Sequence, residues 1–331
     1  MAQEAFIMNT HPVNHLSFII PHKGRFDMLS ETLDSISLQV CPSLSVEVIV
    51  VSQTPEIEHY PLRLNEKIPL RVLVRPAEQT ISCLRNFGVT QATGNYLAFL
   101  DADVYLSDNW AEQMLYELTS QPERIIVSAQ QICHPNAPPL EKIRTCLSNV
   151  ELDQNVAFLP GRNLFMSRNA FERIGGFPEH LVTCEDYYFT DQAAKLGKLY
   201  YTSAATYRHI GEDKEYKAMF DKEIWRGQSN IQSLSGRNVP LREIPSFFVP
   251  PTILLLLITS AILLIVGISQ LAMLALALAI LPIVVYSLRL LNIAKSQVSF
   301  GKIVLFYALY FPARAIGTLV GVFKTITIKQ S

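Results

Sequence analysis

Between Ile244 and Leu288 this 331-residue chain has no charged side chain. A stretch that long and that apolar is not a linker; it reads as membrane-embedded. A basic excess is missing too. Lys and Arg number 28 against 29 Asp and Glu, a formal net charge of -1, which argues against a general nucleic-acid binder. The five cysteines, Cys41, Cys83, Cys133, Cys146 and Cys184, form no Cys-x-x-Cys pair. That excludes a zinc ribbon and a disulfide framework and suggests a reducing compartment. Met1 to His15 lacks a basic start followed by an apolar run, so no signal peptide is read there. Internal repeats and low-complexity tracts are absent as well.

What is present, up to about residue 243, mixes charged, polar and apolar residues as a soluble domain does. Apolar runs at 16–20, 46–51, 70–74 and 96–100 have strand length. Between them, 26–39 and 78–92 carry apolar residues at helical spacing, the second stopped by Thr93-Gly94. Further on, 108–120 reads as a helix, 124–128 as a strand and 135–139 as a loop. A turn into a strand follows at 159–166, then a short helix at 168–174. A helix opens at Thr183-Cys-Glu-Asp-Tyr187, short strands at 198–201 and 205–207 lead to His209, and 214–228 reads as a helix. Strands alternating with helices imply an α/β fold with a mostly parallel sheet, helices on both faces and a ligand crevice at the strand ends. Pro21 to Arg25, with Lys23 between them, then Ser52-Gln53 and Asp101 to Asp103, fall at those ends.

The strand 96–100 runs straight into Asp101-Ala102-Asp103. On an extended chain both carboxylates point the same way. Two hard oxygen ligands suit Mg²⁺ or Mn²⁺, which keep coordination positions for phosphate oxygens. A solvated Asp-rich turn is the alternative. Glu185-Asp186 has an alternative of its own, as acidic residues favoured by the dipole at a helix start.

Taken in order, Leu16-Ser-Phe-Ile-Ile-Pro21, Leu84-Arg-Asn-Phe-Gly88, Ala92-Thr-Gly94, Phe99-Leu-Asp-Ala-Asp103, Asn163 to Phe177 with its Gly-Gly-Phe ending, and Glu185-Asp186 resemble the family 2 glycosyltransferases. The resemblance runs from Leu16 to about Gln232. It implies a GT-A, Rossmann-like nucleotide-sugar-binding domain and inverting transfer from a nucleotide-diphospho-sugar. Asp103 then matches the direct metal ligand, with Asp101 nearer the ribose or nucleotide and also within reach of the metal. Asp186 matches the catalytic base and Glu185 its neighbour in the substrate site. His209 falls about where related enzymes place a further metal ligand, a structural histidine being the alternative. Arg85 matches the family's Arg-Asn and would reach the nucleotide or its phosphates; a helix salt bridge is the alternative. Trp225-Arg226-Gly resembles the Arg-Gly segment of non-processive members and would close over the diphosphate, or else lie on a surface helix. The Gln-x-x-Arg-Trp pattern of processive members is absent. Many members end the second strand in an Asp that holds the nucleobase. Here Ser52 or Gln53 would have to replace it, so UDP is favoured only from the family's habit.

The organisation expected is an N-terminal tail (1–15), a catalytic domain (16–232), a juxtamembrane linker (233–246) and a membrane domain (247–324). Spans are expected at 247–268 and 271–289, each close to the roughly 20 residues a bilayer requires. The stretch 303–323, interrupted by Pro312 and Arg314, is expected as a third span, with an interfacial or re-entrant helix as the alternative. Arg237 and Arg242 before the hairpin, and Arg289, Lys295 and Lys302 after it, put the catalytic domain in the cytoplasm, at the inner membrane. The function expected is non-processive transfer to a lipid-linked, polyprenyl-diphosphate-type acceptor in surface polysaccharide or glycolipid synthesis. The alternatives are transfer to polyprenyl monophosphate and a non-catalytic nucleotide-sugar-binding membrane protein.

Overall fold

The computed structural model describes residues 14–39, 44–228, 230, 241, 244–295 and 297–328. Cys41, Arg237, Arg242, the tail up to residue 13 and most of the 233–246 linker lie outside the described residues. The first unit repeats strand and helix: β1 (Asn14–His22), α1 (Phe26–Ser37), β2 (Leu44–Ser52), β3 (Leu70–Val74), α2 (Ile81–Gln91) and β4 (Tyr96–Leu100). These four strands pair in parallel in the order β3-β2-β1-β4. Along β1, Leu16, Phe18 and Ile20 enter one core while Ile19 enters another, so both faces of the sheet are covered. Burying each such side chain contributes roughly 1.5–3 kcal/mol, which fixes the register.

The second half departs from the parallel expectation. It comprises β5 (Val104–Leu106), α3 (Trp110–Thr119), β6 (Arg124–Ile132), α4 (Pro139–Ser148), β7 (Gln154–Val156), β8 (Asn163–Ser167), α5 (Arg168–Ile174), α6 (Glu185–Ala194), β9 (Lys198–His209) and α7 (Tyr216–Gly227). The sheet continues β4-β8-β6-β9-β5, with β8 antiparallel to both β4 and β6. The sheet is therefore mixed. Running backwards, β8 starts beside the end of β4, and the Asp101 amide donates to the Arg162 carbonyl (3.2 Å). The loop before β8 thus arrives at the functional end of the sheet. The two short strands expected near 198–207 are one strand, β9, interrupted by a register shift opposite Ala129 and Gln130. Its far end pairs antiparallel with β5, setting His209 opposite Val104. The loop expected at 135–139 is the approach to α4, which the sequence reading missed; Pro139 stands in its first turn.

Three long apolar helices follow: α8 (Ile244–Ile265), α9 (Ser269–Ala294) and α10 (Phe300–Ile328). Each is long and apolar enough to cross a membrane. The first two form the expected hairpin, turning at Gly267 with φ 83°.

One buried carboxylate joins four elements of the parallel half. Glu47 Oε1 accepts from Ser17 Oγ (2.7 Å), Thr93 N (2.6 Å) and Thr93 Oγ1 (2.8 Å), and Oε2 from Arg71 Nη2 (3.0 Å). Burial alone would raise its pKa, but the Ser17 and Thr93 hydrogen bonds and the Arg71 charge hold it down to about 2. A depressed carboxyl stabilises the fold above its unfolded value and loses that effect as pH falls towards the folded one. Glu47→Gln is therefore expected to lower the melting temperature at pH 7. The gap to wild type should shrink as pH falls below about 4.5, as read by thermal melts across pH.

Candidate active site

The site is assembled around the end of β4. The strand stops at Leu100, and Asp101 to Asp103 turn out of it into β5. The two carboxylates take protein partners on different elements.

Asp101 Oδ1 accepts from Arg85 Nη2 at 2.9 Å. Arg85 Nη1 donates to Glu185 Oε1 at 3.0 Å, and Nη2 also reaches the Gly161 carbonyl at 3.2 Å. The guanidinium lies 5.0 Å from the Phe177 ring centroid, and the Arg85 side chain is 1% exposed. Arg85 is thus not half of a local helix salt bridge, and its terminal nitrogens are engaged by protein acceptors from three separate segments. It is a buried clamp between the end of β4, the loop before β8 and the start of α6. A Cβ at Gly161 would stand 3.0 Å from Arg85 Nη1 and 3.2 Å from Asp186 Cβ, so the clamp depends on that residue having no side chain.

The start of α6 carries the acidic pair. Asp186 is half-buried; Oδ2 accepts from Gly161 N (3.2 Å) and Oδ1 from Tyr187 N (2.9 Å). Glu185 is half-buried as well, its side chain 13% exposed. Burial and the Asp186 charge push its carboxyl up to about 7, against the pull of Arg85. Cys184, just before the helix, takes a left-handed conformation (φ 64°) that turns the chain into α6.

Asp103, 4% exposed, faces the other way. Its Oδ1 lies 3.4 Å from His209 Nε2 and its Oδ2 2.9 Å from Arg25 Nη1. Burial alone would raise the Asp103 carboxyl, but hydrogen bonding and charge from His209, then Arg25, hold it at about 2. Burial would lower the His209 pKa, yet its bonds to Asp103 and Glu212 raise it overall. Glu212 Oε2 is 3.0 Å from His209 Nδ1 and accepts from Gln131 Nε2 at 3.1 Å. Its carboxyl would be raised by burial but is strongly depressed by His209, Arg162 and Arg144. A carboxylate on Nδ1 fixes the ring and turns Nε2 to Asp103, the arrangement that orients a metal-binding histidine. Among the described residues no group of three or more His, Cys, Asp or Glu side chains is arranged to hold a metal. Asp103 and His209 are a two-member O/N donor set, which fits a cation that takes most of its ligands from water or phosphate.

The other expected contacts are placed unevenly. Pro21 is buried within β1, while Lys23 and Arg25 are exposed on the turn into α1. Ser52 is fully buried; its Oγ meets His22 Nδ1 (2.9 Å) and donates to the Thr54 carbonyl (3.1 Å). A hydroxyl without exposure cannot hold a nucleobase, so that expectation is corrected. Gln53 Nε2 donates to the carbonyls of Pro76 (3.3 Å), Ala77 (2.9 Å) and Gln79 (2.7 Å), closing the loop after β3. Trp225 is exposed, and Arg226 Nη1 donates to Glu223 Oε1 at 2.8 Å. The Arg226 carbonyl accepts from Thr183 Oγ1 (3.3 Å), so the end of α7 adjoins the start of α6. Sequence reasoning missed Glu212, Arg162, Arg144 and Glu223. The one available signal was the Glu212-Asp213 pair directly after His209.

Residues 17–175 match the family model described as Glycosyl transferase family 2. The chain is 23% identical over 245 residues to glycosyltransferase AglE of Haloferax volcanii, covering 71% of this chain and 79% of that one. It is 25% identical over 232 residues to the O-antigen chain rhamnosyltransferase RfbN of Salmonella typhimurium, covering 65% and 73%. Among solved structures it is similar to the Pyrobaculum calidifontis mannosyltransferase PcManGT in complex with GDP-Man and Mn²⁺. That match has TM-score 0.57 and 17% identity, over 92% of this chain and 86% of that one. It is also similar to S. aureus TarS 1-349 in complex with UDP-GlcNAc, with TM-score 0.52 and 15% identity, over 94% and 92%. The chain carries a family 2 glycosyltransferase domain of GT-A-like fold. It is a glycosyltransferase.

The raised Glu185 carboxyl makes a prediction. An acid whose folded pKa lies above its unfolded value stabilises most below the unfolded value, and that effect is lost as pH rises through the folded one. Wild type should therefore lose stability relative to Glu185→Gln between about pH 4.5 and pH 7. Thermal melts of both proteins across that range check it; parallel curves would show that the carboxyl is not raised.

Proposed function

We propose that this glycosyltransferase transfers one sugar, with inversion, from a nucleotide-diphospho-sugar to a lipid-linked saccharide at the membrane face. The observation that carries the proposal is the Asp186 carboxylate, half-exposed at the start of α6 and oriented by the Gly161 amide, on the same Arg85 clamp that holds Asp101. A carboxylate so placed can take the proton of an attacking hydroxyl. Asp103 and His209 would hold Mg²⁺ or Mn²⁺, which when bound neutralises charge on the diphosphate leaving group. Arg25, already on Asp103, and Lys23 beside it would bind phosphate oxygens, since guanidinium and ammonium both match them. Asp101, fixed by Arg85, would lie towards the nucleoside. Trp225, exposed near the end of α7, would with Arg226 close over the diphosphate.

The apolar hairpin supports an acceptor that lives in the bilayer, as does similarity to a protein named for O-antigen chain assembly. The donors named with the two structural neighbours, GDP-Man and UDP-GlcNAc, differ in base, so the nucleotide is left to experiment. The described Arg289, near the end of α9, and Lys295 and Lys302, beyond it, support a cytoplasmic catalytic domain at the inner membrane.

The test is a panel of labelled nucleotide sugars incubated with membranes containing the protein, followed by lipid extraction. One donor is expected to label the lipid fraction, and excess EDTA to abolish the labelling. Asp186→Asn should bind that donor normally and transfer about 10²- to 10⁴-fold more slowly, the usual share of a positioned base. Near-normal transfer by Asp186→Asn would remove it from the mechanism.

A further inference from the structure

The composition of α10 satisfies the requirements for a third membrane span. Its packing does not. We infer that α10 lies in the membrane interface along the catalytic domain, that α8 and α9 are the two spans, and that the chain leaves α10 on the catalytic side of the bilayer.

Catalytic helices cover α10 from one end to the other. Ile303, Phe306 and Phe311 share a buried cluster with Leu140 and Ile143 of α4 and Met219 of α7. Near the other end the contact is backbone on backbone. A Cβ at Gly227 would stand 2.9 Å from the Gly317 Cα and 3.0 Å from the Arg314 carbonyl, so the two helices cross with no side chain between them. Asn230 Nδ2 donates to Thr318 Oγ1 (3.1 Å), and a Cβ at Gly321 would meet the Gln228 backbone. At 1.5 Å per residue, Ile303 to Gly321 covers about 27 Å, nearly the thickness of a hydrocarbon core. If α10 crossed the bilayer, α4 and α7 would be drawn into it. The exposed Lys217 and Asp221 of α7 would then face lipid tails.

The hairpin gives independent support. Among the described residues, its buried members of the cluster with α10 are Ile253 of α8 and Ile283, Leu290 and Ala294 of α9, which lie between mid-helix and the catalytic end, with Leu257 packed against them. The tip half leaves Ile262, Ile265, Leu274 and Leu278 exposed. A third helix crossing the same bilayer would cover the tip as well as the base.

Arg314 is explained by the same arrangement. Its Nε lies 3.5 Å from Glu223 Oε2, and Glu223 is also held by Arg144 Nη2 at 2.6 Å and Arg226 Nη1 at 2.8 Å. The Glu223 side chain is 1% exposed. The arginine that interrupts the apolar stretch, its side chain 22% exposed, is therefore paired within the protein, against a charge cluster of the catalytic domain. On the outer side, Leu305, Leu319 and Phe323 are exposed and apolar. They form a surface suited to the interfacial layer of the bilayer that the adjoining hairpin enters.

The test uses the full chain in sealed membrane vesicles, with epitope tags at both termini, the native cysteines replaced and Ser269→Cys in the hairpin turn. Protease is expected to remove both tags from the same side, and an impermeant thiol reagent to reach the cysteine from the opposite side. Tags on opposite sides would overturn the inference. Spin labels at Leu305→Cys and Leu319→Cys give a second reading. Both are expected at one shallow depth; a clear difference in depth, or either label at the bilayer centre, would contradict it. Neither reading depends on sugar transfer, so topology and activity can fail separately.

Discussion

The catalytic end of the molecule depends on one buried cation. Arg85 comes from α2, yet its two terminal nitrogens hold Asp101 at the end of β4, Glu185 at the start of α6 and the Gly161 carbonyl between them. A planar guanidinium can satisfy three acceptors in one plane, which a lysine cannot do. Without it, the Glu185 carboxylate, 13% exposed, would lose its counter-charge, and leaving a largely enclosed charge unpaired is strongly unfavourable. The clamp also explains the contrast within the acidic pair. Arg85 holds Glu185 directly, while Asp186 is oriented by the loop that Arg85 fixes.

A second line of charges starts at Asp103 and leads away from the crevice. His209 links Asp103 to Glu212; the neighbouring Asp213 meets Arg144 at 3.0 Å, and Arg144 meets Glu223 beside α10. Burial would raise the Glu223 carboxyl, but Arg144, Arg314 and Arg226 together hold it at about 2. Helix α10 therefore shares one ionic network with the residues proposed to hold the metal. Membrane attachment and site geometry are parts of one packed unit, and the start of α6 joins it through the Thr183 to Arg226 hydrogen bond.

Local features of this arrangement were legible in the sequence. The strand that ends in Asp101, the helix that starts at Glu185 and the apolar hairpin each follow from residues close together in the chain. Partners were not legible. Arg85 and Glu185 are 100 residues apart, and nothing local distinguishes a clamp from a donor contact. The direction of β8 was hidden because an apolar run such as Leu164 to Met166 reads the same both ways. Ser52 looked available because it ends a strand, but its burial is set by the β1 neighbour His22. α10 has the length and composition of a span, and only the helices packed on it reveal another role.

The central claim is that Arg85 positions the catalytic groups and does not bind the donor. Its most direct test is donor affinity and turnover measured on one preparation of Arg85→Lys, which keeps the charge and loses the planar fork. The account predicts turnover per bound donor lower by about 10²-fold, the cost of small displacements in a catalytic geometry, with a smaller loss of donor affinity passed on through Asp101. Loss of donor affinity with turnover per bound donor preserved would contradict it.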